Sequence, residues 1–478
     1  MEKQSADEQQ FESRPRPDDF SNYLPWACNQ LQLDATIIIN KVIQNEYVSA
    51  AMTDRVKKVK SKIKLSQSRH NVGSDQEREE KSTSNPLPLL YNEKVVKIFT
   101  IYDSFFNLVE IRFDKNNHLP RLIFKIIGLI IQFQPNIAKI EINGGMDGFT
   151  VYEINKFLNI SNITELCFDG CFLKEANYDI LLDTNSSLRH LSLSRCKIDD
   201  NVVLNIANKL SYPLPASKSL YILNLSSNRI TDLGTQYLAQ ALRSNRNLSY
   251  LNLADNRITD DGAGYLLHVF AEFSLTSNEL LEARFRHMVF LKNKNIMMDR
   301  TVKELRSGEL DRKIAKRKFT RSVSAASGKK GKLEKESSLK SIGDTKSLLN
   351  MDFLYYDKAV NMVENTLGEF NDPFCANNTN VKEGMVYSKG NNTLCYLNLA
   401  YNNLSFLSLK KILAVLMFQK LLDRKPRGLI NLLIEGNNLP VSCKEMNQID
   451  DVLDMGLMVH YRRLSGNKKR PQSKTTSR

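Results

Sequence analysis

The stretch LNLSSNRITDLGTQYLAQALRSN, Leu223 to Asn245, is followed a few residues later by a near copy, LNLADNRITDDGAGYLLHVF from Leu251. The leading residues of the two units, Leu220 and Leu248, are 28 residues apart. A chain that restates itself at so short a period is forced to stack its copies. One unit cannot bury its own apolar face, and the next unit offers the matching one.

Each copy reads L-x-x-L-x-L-x-x-N-x-I: a short period-2 strand with leucines on one face, then a turn, then apolar residues at helical spacing such as Leu238 and Leu242. Weaker copies begin at Leu108, Ile137, Ile163 and Leu188, and two late ones at Leu394 and Leu429, which makes eight. The ninth position reads Asn116, Gly145, Cys171, Cys196, Asn228, Asn256, Asn402 and Asn437. An Asn amide there can satisfy turn backbone groups that stacking buries, and a thiol is a smaller, weaker substitute. Gly145 offers no side chain, so either this repeat is weak at that point or its register is displaced by one residue.

Units near 28 residues with a TDxGxxxLAxxL helix resemble ribonuclease-inhibitor-type leucine-rich repeats. The resemblance implies an α/β solenoid, a horseshoe of parallel concave strands and convex helices. On that template the third positions, Glu110, Lys139, Glu165, His190, Ile222, Tyr250, Tyr396 and Asn431, project onto the concave side. So do the fifth positions, Arg112, Glu141, Cys167, Ser192, Asn224, Asn252, Asn398 and Leu433. The early half is charged and the later half neutral. Tyr250 and Tyr396 become lateral neighbours if the seventh repeat docks on the sixth, making an aromatic, semi-polar patch of the type enriched at interfaces.

Five segments follow from this reading: a largely unstructured arm over 1–91; a cap and six repeats over 92–270; an insertion over 271–393; repeats seven and eight with a helical cap over 394–460; and a basic tail over 461–478. Within the arm, ATIIINKVIQNEYVSAAM reads as a short helix, and Trp26 as a docking anchor or a local packing residue. VVKIFTIYDSFF has helical spacing and suits a cap. The insertion reads as an amphipathic helix around ELLEARFRHMVFLKNK, a basic low-complexity linker, a second helix through LLNMDFLYYDKAVNMVENTLGEF, and a loop or hairpin. The apolar run LIFKIIGLIIQF is too short to span a bilayer and falls where a convex helix is due.

Charge locates the polar functions. The net +14 comes from residues 292–346, at +10, and residues 461–478, at +7, which leaves the remainder at −3. These basic segments read as solvated, with contact to an acidic filament surface such as tubulin tails as the functional alternative. They carry almost no aromatics, which argues against stacking on single-stranded nucleic acid and leaves nonspecific phosphate contact open. Ser324 in RSVS and Ser465 in RRLS fit basic-directed kinases, and a phosphate there would weaken contact with an acidic polymer.

Seven scattered cysteines and an N-terminus without an apolar segment point to a reducing, cytoplasmic setting. No phosphate-loop, zinc-protease, serine-hydrolase or paired CxxC motif is present, and the six histidines are dispersed, so neither a catalytic centre nor a cofactor or metal is expected. The order of parts, with repeats, a long basic insertion, then DPF…GNNTLCYLNLAYNNL and a terminal pair, resembles the leucine-rich repeat-containing protein seventy-one group. That resemblance implies a non-enzymatic protein of ciliated cells, at the axoneme. A scaffold binding protein partners through its concave face is the first reading. A GTPase regulator, whose relatives usually end in an acidic tail, and a nucleic-acid-associated adaptor are the alternatives.

Overall fold

The computed structural model describes residues 14–44, 94–183, 186–323, 343–422, 424, 426–440 and 442–466, with the side chains of 309–323, 343–352 and 458–466 left aside. Two compact units divide the chain, Met1–Glu272 with Gly390–Arg478, and Phe273–Lys389.

The first unit is an α/β leucine-rich-repeat solenoid. It begins with α1 (Phe20–Gln30), β1 (Thr36–Ile43), β2 (Val95–Tyr102) and β3 (Leu108–Phe113). Next come α2 (Arg121–Ile130), β4 (Lys139–Ile142), α3 (Gly148–Leu158), β5 (Glu165–Cys167) and β6 (His190–Ser192). The central repeats add α4 (Asp200–Leu210), β7 (Ile222–Asn224), α5 (Asp232–Leu242), β8 (Tyr250–Asn252) and α6 (Asp260–Phe270). Among the described residues these strands join β12 (Tyr396–Asn398) and β13 (Asn431–Leu433) in one ten-stranded sheet of order β1-β2-β3-β4-β5-β6-β7-β8-β12-β13. All neighbours are parallel except β2 and β3.

The repeat pattern dictates the layering. The fourth template position supplies the central strand residue, and Ile111, Ile140, Leu166, Leu191, Leu223, Leu251 and Leu397 are all fully buried against the helices. Helix starts are capped in the usual way: Asp147 with Thr150 forms a capping box on α3, Asp199 caps α4, and Thr231 and Thr259 cap α5 and α6. The apolar run at Leu122–Phe133 is α2 plus a 3-10 turn, with Ile123, Phe124, Ile126, Ile127 and Ile130 buried. After β5 the expected helix is a 3-10 segment, Tyr178–Leu182.

Two segments differ from the helical expectation: TIIINKVI is the strand β1, and VVKIFTIY is the strand β2. Val95, Ile98 and Phe99 mimic helical spacing, but the burial alternates, with Val96, Ile98 and Thr100 inside and Lys97 out. A strand covered on one side and partly on the other reads as a mixed apolar run, and periodicity alone does not separate it from a helix. Thus residues 14–44 of the N-terminal arm are ordered into α1 and β1, while 45–93 lie outside the described residues. Trp26 is half-buried beside Tyr23, with Arg14 over its ring.

The second unit contains β9 (Phe273–Ser274), α7 (Ser277–Val323), α8 (Gly343–Leu367), β10 (Thr379–Lys382) and β11 (Met385–Ser388). Met298, Ala359 and Val363 form its small core between α7 and α8. β10 and β11 make an antiparallel hairpin that also pairs with β9. Asp372, 1% exposed, holds Arg286 at 2.6 Å. Helix α7 runs through much of what reads as a basic linker, because Lys, Arg and Glu are good helix formers where Ser and Gly are scarce. Ser324 lies outside the described residues.

The first unit resumes with β12 (Tyr396–Asn398), α9 (Phe406–Leu422), β13 (Asn431–Leu433) and α10 (Lys444–Gly466). Helix α10 continues past Tyr461, where the tail is expected to begin, and Ser465 sits in its last turn. No helix among the described residues is long and apolar enough to cross a membrane.

Candidate protein-interaction face of the sheet

The ninth-position column ties each repeat to the one before it. The Asn228 carbonyl accepts from the Cys196 and Ile198 amides, both at 3.0 Å, while its Nδ2 donates to the carbonyls of Leu193 and Leu225 at 2.9 Å. Asn256, Asn402 and Asn437 repeat this arrangement, and Asn116 makes the same two-way contact with the backbone of Lys97 in β2. Cys171 and Cys196 manage only the donor half, to the carbonyls of Ile142 and Phe168. Burial pushes both thiols up to about 12, so they stay protonated and able to donate.

Gly145 is in register. Its φ of +78° and the Asn116 carbonyl oxygen, which an added Cβ would meet at 2.6 Å, leave room for glycine alone. The missing side chain is a packing requirement of this turn.

A second column on the helix side, built from Asp200, Asp232 and Asp260, has no counterpart in the strand consensus. Asp200 at the start of α4 accepts from the Thr231 amide at 2.9 Å, the Thr231 hydroxyl at 2.6 Å and the Gly234 amide at 3.0 Å. Asp232 does the same for Thr259. Asp260 does it for Ser405 and Ser408, whose hydroxyls both donate to its carboxylate. Burial would raise the Asp260 carboxyl, but the hydroxyl and amide donors of Ser405 and Ser408 outweigh it and hold the group below the usual carboxylate range. The TDxG motif follows: Thr caps its own helix, Asp reaches the next repeat, and Gly admits the Asp of the preceding one.

These columns carry the stack across the insertion. β12 pairs in parallel with β8 through Tyr396 to Tyr250, Leu397 to Leu251 and Asn398 to Asn252. Asn402 reaches the Leu253 carbonyl and accepts from Ile258.

The sheet register lays the third positions in one row, from Glu110 through Lys139, Glu165, His190, Ile222, Tyr250 and Tyr396 to Asn431. The fifth positions form a second row, in which Arg112, Glu141, Cys167, Ser192, Asn224, Asn252, Asn398 and Leu433 are neighbours in turn. Most of these residues are half-buried, on the side of the sheet opposite the central leucines.

The charged half is already partnered. Arg112 holds Glu110 at 2.8 Å, Lys139 holds Glu141 at 2.7 Å and Glu110 at 3.2 Å, and Arg112 lies 3.4 Å from Glu141. Burial opposes ionisation of Glu141, yet Lys139, Asn143 and Arg112 hold it below its ordinary range. His190 Nδ1 lies 3.7 Å from Glu165. Four side chains that look like free charges in the sequence form a neutral two-acid, two-base network.

The later half exposes polar and aromatic surface instead. The Tyr250 and Tyr396 rings stack with centroids 3.8 Å apart and planes 6° from parallel. Asn224, Asn252 and Asn398 each accept from the backbone amide two residues on, which fixes their side chains beside the strand. Asn224 Nδ2 donates to Ser192 Oγ at 2.9 Å. The result is a stacked aromatic centre with oriented amides at its margin.

Residues 184–207, 216–239 and 244–267 each match the family model described as Leucine Rich repeat. The match and the sheet define the chain as a carrier of leucine-rich repeats, a class that generally mediates protein–protein interaction rather than catalysis. No curated protein matches the chain. Among the described residues no group of His, Cys, Asp and Glu is placed to hold a metal ion.

Proposed function

We propose that the protein is a non-enzymatic scaffold that grips a protein partner through the open face of its sheet, with the contact centred on Tyr250 and Tyr396. The observation that carries this reading is the ring stack itself. Two large aromatic side chains already lie ring against ring on the sheet face, so the stack need not form at the moment a partner covers them. The Glu110, Arg112, Lys139 and Glu141 network suits the margin of such a contact better than its centre, since its charges already satisfy one another.

In this reading the basic residues around Lys329, Lys330 and Lys468 reach an acidic filament surface such as tubulin tails, and the cell site is the axoneme of a cilium. The support for that part is the concentration of positive charge in two segments and the resemblance in the order of parts. Cross-linking mass spectrometry on the endogenous protein in ciliated tissue tests both halves. Links from the basic segments to tubulin, with a second axonemal protein beside Tyr250 and Tyr396, are expected. Links to a GTPase or to ribonucleoproteins overturn the reading in favour of those partners.

A further inference from the structure

Among the described residues β1 is an edge of the sheet, and it is built unlike the repeats. The repeat strands from β5 onward are three residues long, whereas β1 spans eight, Thr36–Ile43, and ends the strand order. Its sequence, TIIINKVI, combines high β-propensity with a single charge, Lys41. Ile38 is 43% exposed and Ile43 is 51% exposed. Of the protections an edge strand can carry in its own residues, namely proline, a bulge, shortness or several charges, β1 has only the one lysine.

Pairing with β2 fixes which backbone groups point outward. The Thr36 amide donates to Lys94 and the Gln44 amide to Tyr102, in a parallel ladder that runs without a bulge. In such a ladder alternate residues face the neighbour, so 36, 38, 40, 42 and 44 bond to β2. Ile37, Ile39, Lys41 and Ile43 turn their N–H and C=O groups to the open edge, and no described strand meets them.

That outward set is symmetric about Asn40. We propose that β1 is a homodimer edge: the β1 strands of two copies pair antiparallel across a two-fold axis at Asn40. In that register Ile37 meets Ile43 of the second copy and Ile39 meets Lys41, so every outward amide and carbonyl of the strand gains a partner. On the other face Ile38 packs against Val42, and Asn40 meets its own copy. Lys41 lies opposite an isoleucine, so like charges are never directly opposed. The opposite end of the sheet is a poorer match, because β13 covers only three residues.

The test is sedimentation velocity on the full-length chain over a range of concentrations, together with mild oxidation of two cysteine variants. Asn40→Cys places two thiols at a non-hydrogen-bonded antiparallel pair, where the Cα separation of about 4.5 Å suits a disulfide. Ile38→Cys on the same strand does not meet its own copy. The expected result is a concentration-dependent dimer, lost in Ile39→Pro, which removes one outward N–H and leaves no ladder bond to β2 broken. Asn40→Cys is expected to form a covalent dimer well above the wild-type and Ile38→Cys background. A monomer at every concentration, a dimer that persists in a folded Ile39→Pro variant, or equal cross-linking of the two cysteine variants overturns the proposal.

Discussion

The ring of Tyr396 lies flat against that of Tyr250, centroids 3.8 Å apart, although the whole second unit separates them in the chain. The stack is the surface sign of a repeat array that continues across its insertion, and below it Leu397 pairs with Leu251 and Asn402 reaches the Leu253 carbonyl. Binding should therefore depend on both tyrosines together. Tyr250→Ala and Tyr396→Ala are each expected to weaken the captured partner by roughly tenfold or more, in the range of about 1–3 kcal/mol for anchors of this type. The double variant should lose less than the sum, because either change alone already breaks the stack. Isothermal titration with the cross-linked partner measures this, and additive losses would count against a shared anchor.

Asp260 should behave as the clasp between repeats six and seven. Removing its charge in Asp260→Asn leaves the Ser405 and Ser408 donors poorly matched, with an expected loss of about 2–3 kcal/mol for charge-assisted bonds. Hydrogen exchange should then quicken in β12, α9 and β13 while β6 and β7 keep their protection, since solenoid units depend on their immediate neighbours. Uniform exchange throughout the first unit would contradict the clasp.

The same carboxylate predicts a direction with pH. Its folded value lies below its unfolded one, so its contribution is complete above the unfolded value of about 3.9 and is lost as pH falls through the folded value. Glu141 shifts in the same direction. Thermal melts are expected to fall below about pH 4 in the wild type and to fall less steeply in Asp260→Asn.

Gly234 lies inside α5, where alanine ordinarily stabilises a helix by about 0.5–1 kcal/mol. Here the sign should reverse. A Cβ would meet the Asp200 carboxylate oxygen at 2.5 Å and Ile230 Cγ2 at 2.7 Å, displacing the acid from Thr231. Urea unfolding of Gly234→Ala checks the sign; a stabilised protein would show that the Asp column matters little.

Much of this was legible in the residues, because the leucine spacing fixes register within each strand. The row from Glu110 to Asn431 aligns as the template aligns it, even at Gly145. What escaped were features that no single repeat contains. Asp200 looks like one more acid in a helical first turn, and its role exists only where the next repeat brings Thr231 to it. Lys139 and Glu110 are far apart in the chain and appear as free charges until two strands lie side by side. β1 and β2 were hidden for another reason: their apolar residues satisfy helix and strand spacing equally well, and tertiary pairing decides between them.

Photo-cross-linking from defined positions in the endogenous setting shows whether the sheet face around Tyr250 and Tyr396 is the partner surface. A photoreactive side chain at Ile222 or Asn431 flanks the stack in the same row, while one at Gln236 lies on the helix side in α5. The same protein is expected to be captured from both Ile222 and Asn431 and not from Gln236, with capture lost in Tyr250→Ala. Capture from Gln236 alone, or capture at Ile222 indifferent to Tyr250, would contradict that expectation.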